Sequence, residues 1–81
     1  MEGTSDKVDR LFAQLLRMTN GNRHLRHRCF RSALFDSRHG TTEHYITVEC
    51  RSDDARDRAK KWISGRMNDY DETLFYYAIG S

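Results

Sequence analysis

Val8, Leu11, Phe12, Leu15 and Met18 recur three and four residues apart, which gives a helix one apolar face. Thr4 or Ser5 is placed to cap that helix, Asp6 and Asp9 sit near its positive end, and Asn20-Gly21 reads as its stop. The period then shortens. Between Cys29 and Asp36, Phe30, Ser32 and Leu34 fall on one side and Cys29, Arg31, Ala33 and Phe35 on the other, as in a strand. Residues 37–42 read as a hairpin loop. His44 to Arg51 alternates again, with Ile46, Val48 and Cys50 inward and Tyr45, Thr47, Glu49 and Arg51 outward. Ser52-Asp53-Asp54 opens a second helix whose apolar side is Ala55, Ala59, Trp62, Ile63 and Met67, and Ser64-Gly65 or Asn68 ends it. Thr73 to Ile79 is apolar enough for a strand buried on both faces, set beside the other two after a crossover.

The predicted order is therefore α-β-β-α-β. It describes an α+β fold in which two helices pack on a three-stranded sheet, as one domain spanning residues 1–81. A chain of this length buries only about 60–65% of its unfolded surface, so its core is small. The nine aromatic side chains, spread through every predicted element, supply much of that core. They also set the chain apart from disordered sequences, although 32% of its residues are charged.

Charge changes the picture more than composition does. Four arginines and two histidines fall within residues 23–31, with no acid among them. Asp69, Asp71 and Glu72 lie near the other end, where no Lys or Arg follows Arg66. The formal net charge of +2 hides these two opposed clusters. Segregated charge suits a surface that binds something charged. The start of the chain lacks the basic and apolar stretches of a signal peptide, and no apolar run is long enough to span a membrane. Cys29 and Cys50 are fewer than a disulfide-stapled secreted domain usually carries. A cytoplasmic protein with reduced thiols is expected.

The spacing His24-x-x-His27-x-Cys29, with His39, His44 and Cys50 elsewhere, raises zinc as a question. Zinc needs a second close pair of ligands, which the hairpin separates, and the surrounding arginines oppose a cation. No cofactor or metal is expected. Catalysis has little support: Cys50 alternates in phase with core residues, and no phosphate loop, nucleophile elbow or HExxH pair is present. A non-enzymatic interaction protein is the expectation.

Two partner classes fit. Arg23, Arg26, Arg28, Arg31 and Arg38, with Lys60 and Lys61 from the second helix, are candidates for a phosphate-binding surface on DNA or RNA. Arginines outnumber lysines eleven to three, which favours bidentate phosphate or carboxylate contacts. Asp69, Tyr70, Asp71 and Glu72 form an acidic-aromatic turn suited to a basic protein groove. The plainer alternatives are a solvated basic face and a loop that caps two elements. Self-association into a homodimer is a further way for so small a core to gain burial.

The stretch Tyr45-Ile46-Thr47-Val48-Glu49-Cys50-Arg51-Ser52-Asp53-Asp54-Ala55, then Ala59-Lys60-Lys61-Trp62, then Leu74-Phe75-Tyr76-Tyr77-Ala78-Ile79, resembles the strand–helix–strand unit of small phage-encoded proteins. Several anti-CRISPR inhibitors are among these. The resemblance covers residues 43–79 and lies in element order and residue type. It implies a non-enzymatic inhibitor that docks on a host protein or protein–nucleic-acid defence complex. The Arg/His tract departs from the acidic, DNA-mimicking members of that group.

Overall fold

A computed structural model describes residues 3–80; residues 1, 2 and 81 of the predicted domain lie outside the described residues. The elements are α1 (Thr4–Met18), α2 (Arg23–Arg26), β1 (Cys29–Asp36), β2 (Thr41–Cys50), α3 (Asp53–Arg66), a 3-10 turn (Glu72–Leu74) and β3 (Phe75–Ile79). The α+β fold is as expected, with one helical turn, α2, added inside the Arg/His tract.

β2 is the central strand. It pairs antiparallel with β1 from Cys29↔Val48 to Asp36↔Thr41, and parallel with β3 from Ile46↔Phe75 to Cys50↔Ile79. The parallel pairing requires a crossover, which α3 supplies. Val8, Leu11 and Leu15 of α1 and Ile63 of α3 are fully buried with Ile46 and Val48 of β2. Cys29, Cys50, Met67 and Phe75 complete that cluster. Each large apolar side chain buried there stabilises the fold by about 1.5–3 kcal/mol.

Several boundaries differ from the predicted ones for local reasons. Gly3, in extended backbone, stands at the α1 N-cap, so Thr4 and Ser5 already lie in its first turn and no side chain caps it. Thr19 ends the same helix: its buried hydroxyl donates to the Leu15 carbonyl at 2.8 Å. Gly21 has no positive φ there; Gly40 in the hairpin does, at 64°. β2 begins at Thr41, which shortens the hairpin loop to residues 37–40. α3 runs through Ser64-Gly65, since its capping bond from Ala55 N–H to Ser52 Oγ and its buried Ile63 outweigh one glycine.

β3 is buried on one face only. Phe75 enters the core, whereas Tyr76, on the opposite face, is 59% exposed. Both long helices lie against the side of the sheet that carries Ile46 and Val48, and none of the described residues covers the other side. On that open side Thr47 is nonetheless buried, and its hydroxyl shares a 2.6 Å hydrogen bond with Ser32.

Candidate phosphate-binding cleft

The predicted acidic surface is occupied from within the chain. Lys7, Arg10 and Gln14 follow one another around α1 at helical spacing and all reach the 68–71 turn. Lys7 Nζ lies 3.0 Å from Asp71 Oδ2, and Arg10 Nη1 3.4 Å from Asp69 Oδ2. The Gln14 amide accepts from Asn68 N–H at 2.8 Å and donates to the Asn68 carbonyl at 3.2 Å. Glu72 pairs with Lys60 of α3. Tyr70 stacks on Phe75 with ring centroids 4.9 Å apart and shares a 2.9 Å hydrogen bond with the Tyr77 hydroxyl. Burial and that bond push the Tyr77 hydroxyl pKa well above its ordinary value.

The predicted basic surface is divided. Arg31 turns to Asp9 of α1 and also meets His44. Arg38 sits in the hairpin turn, beyond the eight residues of β1 and so about 25 Å from the arginines that precede that strand. Lys60 is held by Glu72, whose hydrogen bond raises the lysine pKa. Lys61, next in sequence, makes no ion pair among the described residues. Within the tract, Asn22 accepts the Leu25 N–H and folds α2, while Arg26 donates to the Asn20 side chain. Arg23 and Arg28 have no side-chain partner among the described residues.

Arg28 lines a concave site. A cleft of about 270 Å³ opens between α2, the carboxyl end of β2 and α3. His24 and Arg28 line it from the tract, Arg58 from α3, and Trp62 forms part of its wall. Ala55 and Ala59 present only methyl groups, which keeps α3 from filling it. Arg28 also borders an adjoining groove that contains Arg51 and Gly80. Arg51, Arg28 and Arg58 thus follow one another past the carboxyl end of the central strand. Glu49 lines both concavities, and neither it nor any other carboxylate among the described residues pairs with Arg28 or Arg58.

Trp62 is fixed from outside the cleft. The Arg66 guanidinium carbon lies 4.7 Å from the indole centroid, a cation–π contact that sets the ring's orientation. Arg58, Arg51 and Trp62 were not among the predicted site residues. The signal available for Arg58 was its spacing of four from Trp62, on the side of the helix that carries Ala55 and Ala59.

The thiols are poor nucleophiles. Burial and the neighbouring Cys50 push the Cys29 pKa up to about 12, and its Sγ donates to the Leu25 carbonyl at 3.1 Å. Burial likewise raises Cys50, although Arg28 and Arg56 oppose the shift. The histidines are spread between α2, the hairpin turn and β2, and among the described residues no three His, Cys, Asp or Glu side chains converge as metal ligands. No helix among the described residues is long and apolar enough to cross a membrane. The chain matches no protein-family model, and no curated protein or solved structure is significantly similar to it.

Proposed function

We propose that this protein is a non-enzymatic nucleic-acid-binding module that holds phosphates in the cleft between α2 and α3. The observation that carries the reading is the convergence of Arg28 and Arg58, from separate elements and without ion-pair partners, on one concavity walled by Trp62. A guanidinium fork meets two phosphate oxygens at once, and unpaired arginines enter that contact without first breaking an ion pair. Trp62 offers a flat apolar surface to a base next to the bound phosphate. Arg51 extends the track along the adjoining groove to a second phosphate.

Fluorescence anisotropy of short single- and double-stranded DNA and RNA, titrated at low and near-physiological salt, tests this. Affinity is expected to fall steeply with salt, and the salt dependence to flatten by about one phosphate for each of Arg28→Glu and Arg58→Glu. Trp62→Ala is expected to cost about tenfold or more on single strands, the effect of losing one stacking contact. Binding that survives both arginine reversals, or no binding at low salt, would refute the reading.

The alternative, a phage inhibitor that docks on a host protein–nucleic-acid complex, uses the same cleft against the nucleic-acid component. Its second contact, the turn at Asp69, Tyr70, Asp71 and Glu72, has less support because each of those side chains already has an internal partner.

A further inference from the structure

β1 is an edge strand, and its outward half is unusually apolar. Leu34 is 60%, Phe35 63% and Phe30 43% exposed. Exposed hydrophobic edges of this length invite another strand. The backbone shows which groups are available. Glu49 N–H donates to the Arg28 carbonyl at 2.9 Å, and these residues are directly opposite when the Cys29↔Val48 register is continued by one. Bonded and non-bonded pairs alternate along an antiparallel ladder. Phe30, Ser32 and Leu34 therefore direct their main-chain groups to β2, while Cys29, Arg31, Ala33 and Phe35 direct theirs to the open edge.

We infer that the β1 edge is a homodimer interface: two copies pair antiparallel about a two-fold axis at Ser32 and form one continuous six-stranded sheet. That register is consistent with the ladder. It sets Arg31 opposite Ala33 and Cys29 opposite Phe35 of the second copy, all with outward main-chain groups. On the open side it sets Phe30 opposite Leu34, so the exposed side chains cover one another. At each end Arg28 comes beside the hairpin turn of the second copy, where Asp36 keeps its own 2.6 Å hydrogen bond to His39 and accepts the Arg38 N–H at 3.0 Å. Moving the axis one residue, to Ala33, places Phe30 opposite Asp36 and Arg31 opposite Phe35, which loses the apolar contacts. The pairing also brings the hairpin turn that carries Arg38 beside the α2 segment of the second copy. A single chain holds those arginines a strand's length apart. The inference does not rest on nucleic-acid binding.

Sedimentation equilibrium of the full chain is expected to give twice the 9.6 kDa chain mass at micromolar concentrations. Ala33→Pro removes an N–H that β2 does not use, so it is expected to keep the far-ultraviolet circular dichroism and yield a monomer. The register is read by oxidation: Ser32→Cys is expected to give a covalent dimer as the main product. Phe30→Cys is expected to stay at the background of the unsubstituted chain, since the two copies of that residue lie about 13 Å apart along the strands. A monomer at all concentrations, a dimer that survives Ala33→Pro, or equal cross-linking at both positions would overturn the inference.

Discussion

Asp71 acts through each of its oxygens. Oδ1 accepts the Thr73 hydroxyl at 2.6 Å and the Thr73 N–H at 3.0 Å, which caps the 3-10 turn, and Oδ2 meets Lys7 of α1. The Thr73 hydroxyl first, and Lys7 after it, favour the carboxylate and hold its pKa below the usual 3.8. A folded-state pKa below the unfolded one contributes stability that is present above 3.8 and is lost as pH falls through the folded value. Asp71→Asn is accordingly expected to be less stable than the native chain at neutral pH. Urea unfolding at neutral pH and again below pH 3.8 should show the gap narrowing as the carboxylate is protonated; an equal gap at both pH values would contradict the assignment. Cys29 gives a second test at this scale. Burial makes its thiol unreactive while the chain is folded, so labelling by a thiol reagent should follow the frequency of opening and accelerate sharply in denaturant.

At the scale of elements, α3 shows how a local signal and the core cooperate. Ser52→Ala removes its cap and is expected to cost about 1 kcal/mol by urea denaturation. The cost should leave the proposed phosphate binding in the cleft unchanged, because Ser52 does not line it. The two long helices and the hairpin were legible because their apolar side chains repeat at the period of the structure that buries them: Val8, Leu11 and Leu15 in α1, Ile46, Val48 and Cys50 in β2. β3 was only half legible. The run Phe75-Tyr76-Tyr77-Ala78-Ile79 is apolar on both sides, and composition alone cannot report that one side meets no helix. α2 was missed because its apolar content is a single Leu25, and one Asn22 cap is a faint signal in a tract dominated by charge.

For the whole molecule, the limiting fact is that one layer of helices covers one side of one sheet. Among the described residues, ten buried hydrophobic side chains make the core. Leu11→Ala, at its centre, is expected to cost about 2–5 kcal/mol, a large share of the total stability of so small a domain. A circular-dichroism melt would show the loss. The site was less legible than the fold for a reason that also belongs to this scale. Charge clustering in sequence marked a segment that lines the cleft, through Arg28 and His24. It could not report that Asp9, Asp71, Asp69 and Glu72 would reach across the fold and engage cations, or that Arg58 would meet Arg28 from thirty positions away. Which charges remain unpaired is settled by tertiary contacts, not by neighbours in the chain.

The alternation of main-chain groups along β1 would leave a mark in time as well as in space. In deuterated water, the amides of Phe30, Ser32 and Leu34, bonded to β2, should exchange slowly. Those of Arg31, Ala33 and Phe35 should be replaced quickly wherever the edge is bare. A spectrum of a single chain would therefore show every second amide of one strand fading first. Slow exchange at every position of that strand would show that its outer edge had found company.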